Sequence, residues 1–435
     1  MMIERYSTDE MKKIWSEDNR LKIFLRIEEL VIEAMVKTAQ CPKSVFEKRK
    51  KITPDKDRIA EIEKKTKHDI LAFLEYLEEK KYIDSKYLHR GITSSDILDT
   101  ATGVQVKESL SVIQNEGFVL TKTLLSLARK YKGFPCIGRT HNVYAEPTTL
   151  GLRFLNWHSE LNRSFKKVIE AFKDAAVGKI SGAVGNYGNI HPRIEKHVLN
   201  KLCLKRELPA TQIVCRDRIA RMVNEIAVFA SVLERIAVNI RLLHSTEINE
   251  LSEGFSPGQK GSSAMPHKKN PVSSERIAGF ARLIRGYSSA VQENIPLWME
   301  RDISHSSNER IILPDIMNLL HFLIKDATRV ISNLNINKQK IKKDLTEAGS
   351  FVFSGRVLTI LMEKGFSRKQ AYELIQQLVF KAKETGKHLR NLIQEDRKLS
   401  GKFNKKELDN IFDLKDFLRH EDSIFKDYLL LERRK

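Results

Sequence analysis

The chain has 435 residues, 41% of them apolar and 30% charged, and a formal net charge of +20. That balance excludes a disordered chain and points to a soluble globular protein too long for one ordinary core, so two or three domains are expected. The four cysteines, Cys41, Cys136, Cys203 and Cys215, are far apart and form no C-x-x-C pair, which argues for reduced thiols and against a disulfide framework.

The first residues, MMIERYSTDEMKKIW, carry acidic groups and no apolar h-region, so no secretory signal is expected. No apolar run reaches membrane-spanning length, and a cytoplasmic location is expected by default. Residues 3–90 alternate short amphipathic helices with breaks at Cys41-Pro42 and Thr53-Pro54. Longer helical patterns follow at 99–131 and at 147–176, the second with Pro147 near its first turn. The glycine-rich KISGAVGNYGN (179–189) lacks the preceding strand and G-x-G-x-x-G spacing of a dinucleotide site, and reads as a loop joining two helices. Over 218–251, Ile219, Met222, Ile226, Phe229, Leu233, Ile236, Ile240 and Leu243 recur at spacings of three and four, a heptad seam. Val223, Ala227, Ala230 and Ala237 add a second, small-residue face. No Gly or Pro interrupts Ala210 to Glu253, which predicts a helix of about 40 residues and roughly 60 Å. A rod that long must pack along other rods, so a helical bundle shared between subunits is expected. A further helix runs from about Pro271 to 293. After Leu345, shorter segments resume around Gly355, Gly365 and Gly386, and the tail is Lys-rich. Period-2 alternation is almost absent. The expected fold class is all-α, with a small helical domain over 1–93, a long-helix bundle over 94–345 and a small helical domain over 346–435.

The positive charge invites a nucleic-acid reading. The lysines are scattered over helical surfaces and mixed with Glu, as in EIEKKTKHD and LEEKKYIDSK, and neither zinc-finger spacing nor an RNP-like aromatic cluster accompanies them. No nucleic acid is expected. A polyanionic small substrate drawn to a positive cleft fits the same charge.

Five polar islands interrupt the helices: Lys67-His68-Asp69, LHRGITSSD (88–96), RTHNVYAEPTT (139–149), GQKGSSAMPHKKNP (258–271) and LWMERDISHSSNERIILPD (297–315). A metal site is not supported, because His68, His89, His141, His267 and His305 show neither HExxH nor other local ligand spacing. An acyl-enzyme serine is not supported either, for want of a G-x-S-x-G elbow. Acid–base chemistry fits better. Gly258 and Gly261 at one end of the fourth island, and Pro266 and Pro271 at the other, suit a loop that moves and then locks. Within it Ser262 and Ser263 offer hydroxyls, and Lys268, Lys269 and Asn270 offer donors to an anion. With water excluded, such donors bring a serine alkoxide within reach and hold the charge that develops when a proton leaves carbon beside a carboxylate.

The loop GSSAMPHKKNP resembles the signature of the fumarase/aspartase superfamily, with Gly261, Ser262, Met265, Pro266, Lys268, Asn270 and Pro271 in register. IERYS, HDILAF, GITSSDILDTA, RTHNVYAEPTTLG, SGAVGNYGN and ERDISHSSNERIILPD resemble, in order, its adenylosuccinate-cleaving branch. The similarity is close over residues 2 to about 380. Fumarase and aspartase would show Gly where His267 stands, and argininosuccinate lyase would differ around 93–96. The resemblance implies β-elimination of fumarate from adenylosuccinate, giving AMP, and from SAICAR, giving AICAR, without a cofactor or metal.

It also implies roles. Ser262 would take the β-proton, with Ser263 as the adjacent alternative and a carboxylate ligand. Lys268 and Asn270 would stabilise the aci-carboxylate, His141 would protonate the departing nitrogen, His68 would orient it or hold a substrate oxygen, and Glu275 would tune the histidine. Arg5, Tyr6, Arg301, Ser306 and Arg310 would hold the nucleotide phosphate, where forked Arg donors are apt. Thr93, Ser94 and Gln212 would hold the succinyl carboxylates, with Asp69, His89 and Arg276 as further substrate contacts. Each active site would draw on three subunits of a homotetramer. The chain departs from the pattern at Asn142, where Gly is usual, at Lys67 in place of Arg, and at Arg90, where Tyr is common.

Overall fold

The computed structural model describes residues 3–255, 258 and 260–433, so Gln259 of the signature loop lies outside the described residues. The architecture is helical, as the periodicity implies. Its longest described helix is Ser94–Lys130, with 37 residues, followed in length by Ser304–Ser332, Asp217–His244 and Leu150–Ala175. The strands form three two-stranded ladders: Pro135–Thr140 with Val143–Thr149, Val177–Gly178 with Lys205–Arg206, and Leu251–Ser252 with Asn335–Ile336. No single helix among the described residues is long and apolar enough to cross a membrane.

The chain divides into two compact units. One comprises Met1–Leu120, Leu161–Ala237 and Ser273–Thr328; the other comprises Thr121–Glu160, Val238–Val272 and Arg329–Lys435. The first holds a core built on helix Glu17–Lys37, with Phe24, Ile27, Leu30 and Val31 packed among Ile70, Phe73, Leu77, Ile97 and Ile194. The second holds a core of its own over residues 357–411, centred on Val357, Leu361, Leu389 and Ile411. Each fully buried side chain of this size contributes about 1.5–3 kcal/mol, and that burial offsets the entropy of ordering the chain.

The heptad seam is buried throughout, from Ile219 at 6% exposure to Leu243 at 7%, and Val223, Ala227, Ala230 and Ala237 are buried beside it. The helix that carries it is shorter than expected, 28 residues, or about 42 Å. Its start is delayed because the preceding segment bonds elsewhere. Val214 N–H donates to Asp99 Oδ2 at 2.7 Å, and the Val214 carbonyl accepts Arg216 Nη1 at 2.7 Å. Its end comes early because Leu251–Ser252 pairs with Asn335–Ile336.

A second difference lies at 135–149. The polar island RTHNVYAEPTT belongs to an antiparallel hairpin, and Pro147 sits in its second strand opposite Ile137, not in the first turn of a helix. The register shifts between Ile137 and Arg139. Such a bulge breaks strict alternation, which is the signal a strand leaves in sequence. The glycine-rich segment after Gly178 is a loop leading to helix Pro192–Leu202.

Candidate active site

In the first unit, the start of helix Asp69–Glu79 is built by its own residues. Lys67 takes a left-handed conformation (φ 55°) that ends the preceding helix, and His68 caps the next, its Nδ1 accepting the Leu71 N–H at 3.4 Å. Asp69 then faces two guanidiniums. Arg310 Nη2 donates to its Oδ2 at 2.6 Å, and Arg20 Nη2 lies 3.5 Å away. Burial opposes ionisation of Asp69, but Arg310, the Ile70 N–H and Arg20 outweigh it and hold the carboxyl below its ordinary value. Arg310 Nε also donates to Ser306 Oγ at 3.4 Å. Asp69, Ser306 and Arg310 are therefore gathered, together with an arginine, Arg20, that no local motif singled out.

Arg301 Nη1 donates to Gln212 Oε1 at 3.0 Å, so a residue expected at the phosphate touches one expected at a carboxylate. Behind them lies a cavity of about 300 Å³ lined by Arg20, Asp99, Arg216, Arg301, Ser306 and Arg310, among others. Its inner wall is a buried charge network. Arg216 donates to both oxygens of Asp99 (2.7 and 2.9 Å), to Glu309 Oε1 (3.0 Å) and to the Val214 carbonyl (2.7 Å). Burial, with the Asp99 charge, raises Glu309 above an ordinary carboxyl despite Arg216. Burial, with Arg216 and Arg301 nearby, pushes His305 down to about 4, so that imidazole is neutral at pH 7.

Thr93 and Ser94 stand at the N-terminus of helix Ser94–Lys130. Thr93 N–H donates to Asp96 Oδ2 at 2.9 Å, the backward bond of a capping box. His89, left-handed at φ 52°, gives its backbone N–H to the buried Glu28 (3.0 Å) and places its Nδ1 2.9 Å from the same carboxylate. Both contacts are internal to the fold. Tyr6 packs edge-on against Phe280 and Phe322, with ring centroids 4.7 and 5.6 Å away, and the Arg5 guanidinium is 5.8 Å from the Tyr6 ring. Arg276 pairs with Asp326 at 2.6 Å and lies over Phe322. Glu275 is exposed in the first turn of helix Val272–Gln292.

In the second unit, His141 and Asn142 form the two-residue turn of the hairpin, both with positive φ (52° and 62°) between the paired Thr140 and Val143. Two left-handed residues in such a turn match the strand twist, and Asn tolerates that conformation with little strain. The Asn142 departure therefore leaves a tight turn, with His141 exposed at its tip. The strand below is anchored by Arg139, which donates to the buried Glu250 at 2.8 Å and lies 3.4 Å from Asp344.

The signature loop folds on itself. Gly261 packs so closely that an added Cβ would meet the Lys268 carbonyl oxygen at 2.2 Å. Asn270 Nδ2 donates to the Gly261 carbonyl at 3.1 Å, and His244 Nε2 is 2.9 Å from the Lys269 carbonyl. Ser262 Oγ accepts the N–H groups of Ala264 (3.3 Å) and Met265 (3.1 Å). Two donors on one hydroxyl oxygen favour its deprotonated form. Ser263 and Lys268 are exposed beside it. Among the described residues, no group of three His, Cys, Asp or Glu side chains could hold a metal ion.

Sequence reasoning missed Arg20, Lys179, Asp99, Arg216 and Glu309. Asp96, three residues after Thr93, fits a capping box and was legible from spacing. Arg216 and Lys179 were not, since their partners lie 117 and 83 residues away.

A lyase family model matches residues 4–286, and a model of the adenylosuccinate lyase C-terminus matches residues 350–428. The chain is 42% identical over 426 residues to adenylosuccinate lyase of Thermotoga maritima, covering 98% of this chain and 99% of that one. In fold it is similar to a fumarate lyase from Mesorhizobium sp. BNC1 (TM-score 0.85, 21% identity, 98% and 99% covered). It is also similar to a 3-carboxy-cis,cis-muconate lactonizing enzyme from Pseudomonas putida (TM-score 0.83, 24% identity, 96% and 95% covered). With a family model over more than half of its length and a relative of this identity along nearly all of it, the chain belongs to the adenylosuccinate lyase family.

Proposed function

We propose that the protein eliminates fumarate from adenylosuccinate, giving AMP, and from SAICAR, giving AICAR. The observation that carries this reading is the 42% identity to an adenylosuccinate lyase over 98% of the chain. The site residues support it chemically. Ser262, its oxygen already holding two N–H donors, removes the proton from the succinyl β-carbon. The electron pair moves into the adjacent carboxylate, and the resulting dianion is held by Lys268, Asn270 and Ser263. The C–N bond then breaks as His141, steadied by His68 and tuned by Glu275, protonates the departing nitrogen. An imidazole can both give and retake a proton, which suits a donor that is recharged each turnover. Arg5, Tyr6, Arg301, Ser306 and Arg310 bind the phosphate; Thr93, Ser94 and Gln212 bind the succinyl carboxylates; Asp69, His89 and Arg276 complete the substrate contacts.

We further read the enzyme as a cytoplasmic homotetramer whose active sites combine residues of three subunits. Val228 and Leu242, apolar and half exposed on the bundle helix Asp217–His244, support burial against other copies. Purified protein incubated with adenylosuccinate should release fumarate, read by a coupled assay specific for fumarate. Release from argininosuccinate instead would assign it to that other branch of the superfamily.

A further inference from the structure

Asp96 and Lys179 form an ion pair whose side chains have no exposed surface, and the proposed mechanism makes no use of it. The carboxylate is fully engaged. Its Oδ1 accepts Lys179 Nζ and the Ser181 N–H (3.1 Å), while its Oδ2 accepts the N–H groups of Thr93 (2.9 Å) and Gly182 (3.0 Å). Lys179 Nζ also donates to the Gly182 carbonyl at 3.3 Å, and its backbone exchanges hydrogen bonds with Thr100 Oγ1 at 3.1 and 2.9 Å. The two segments meet backbone to backbone. Gly91 and Gly182 are both left-handed (φ +79° and +80°), and a Cβ on Gly182 would lie 3.6 Å from the Gly91 carbonyl oxygen. The Ser181 hydroxyl beside the pair is buried and has no hydrogen-bond partner among the described residues.

Buried pairs of this kind are weak evidence for stability, because desolvation consumes most of the attraction. Their geometry matters more here. Thr93 and Ser94 open a 37-residue helix, whose N-terminus carries about half a positive charge and favours an anion. Asp96 sits in that same first turn, and without compensation its charge would cancel the field and repel a substrate carboxylate. Lys179 supplies the compensation from inside the fold, with no exposed side-chain surface, while Thr93 and Ser94 remain only half-buried.

We propose that Lys179 is a positioning residue for the elimination: by cancelling Asp96 and tying the 179–182 loop to it, it frees the N-terminus of helix Ser94–Lys130 to hold a succinyl carboxylate through Thr93 and Ser94. The proposal rests on the lyase reading above and names a residue that acts without touching substrate.

The test measures fumarate and AMP as product inhibitors of the full-length enzyme, with thermal melting as a check on folding. Lys179→Met should raise the fumarate inhibition constant about tenfold or more, the size expected of an unscreened like charge near the ligand, while the AMP constant changes less than about twofold. The double variant Asp96→Asn/Lys179→Met, which removes both charges, should fold and return the fumarate constant to within about fivefold of the parent. A folded Lys179→Met with an unchanged fumarate constant, or with AMP weakened as much as fumarate, overturns the proposal. So does a double variant that fails to fold or stays beyond the fivefold line; if the single variant does not fold, the double alone decides. A parent that releases no fumarate from adenylosuccinate overturns the lyase reading itself, whereas an active parent whose variants miss these marks overturns only the role of Lys179.

Discussion

Replacing Arg216 by Met tests how the floor of the candidate site is held. The guanidinium is 6% exposed and lies between Asp99, at 9%, and Glu309, at 12%, with four hydrogen bonds between 2.7 and 3.0 Å. Removing it leaves two carboxylates in a buried site with no cation between them. Breaking one buried pair costs about 3–5 kcal/mol, a large share of the roughly 5–15 kcal/mol that separates a folded domain from its unfolded chain. The sign of the pH dependence follows from the same groups. Without the cation, both carboxyls have folded-state pKa values above their unfolded ones, so the folded form binds more protons and is favoured by acid. The deficit relative to the parent should therefore be largest near pH 8 and shrink as the pH falls through the raised pKa values towards about 4. Parallel thermal melts of parent and variant from pH 8 to pH 5 would measure it. A loss below about 1 kcal/mol at pH 8, or a deficit that grows on acidification, would refute the argument that this network carries paired charge.

Ser262→Ala and His141→Ala should each keep the parent melting temperature and AMP affinity while turnover falls by about 10²–10⁴-fold, the usual worth of a positioned acid or base; near-normal turnover in either would remove that residue from its role. Gly261→Ala should cut turnover with little change in global melting, because its Cβ would strike the Lys268 backbone oxygen at 2.2 Å and displace the loop alone. His305, pushed down to about 4 from 6.5, costs the folded state protons between those values. Its stabilising contribution is complete above pH 6.5 and lost as the pH falls towards 4, up to about 3 kcal/mol at 1.4 kcal/mol per unit. His305→Asn should flatten that part of the stability profile, and an unchanged slope would contradict the shift. Glu421→Ala should lower the melting temperature of the parent, since its carboxylate accepts Thr149 Oγ1 at 2.6 Å and the Gly133 N–H at 2.9 Å within the second unit; buried hydrogen bonds to a charged group are worth about 1.5–3 kcal/mol each.

The helices were legible because their signal is local. A seam such as Ile219, Met222, Ile226 and Phe229 records which face is buried, whatever it is buried against. The signature loop was legible for a different reason: its glycines, serines and Asn270 lie within one short turn of chain, where a Cβ at position 261 would come within 2.2 Å of the Lys268 carbonyl oxygen and so demands glycine. The hairpin at 135–149 was not, because its bulge scrambles alternation and its outward His141–Asn142 turn resembles any polar loop.

By itself, then, the sequence determined where helices form, which of their faces are buried, and which short segment carries the serines and cations. Only the tertiary structure decided where helix Asp217–His244 begins and ends, that Arg310 meets Asp69 across 241 residues, and that Lys179 lies against Asp96 across 83. The physical reason is range. Periodicity and turn chemistry act over a few residues and leave a repeat in the chain, whereas a buried charge needs a single partner whose sequence distance is arbitrary, and one lysine among many leaves no pattern to read.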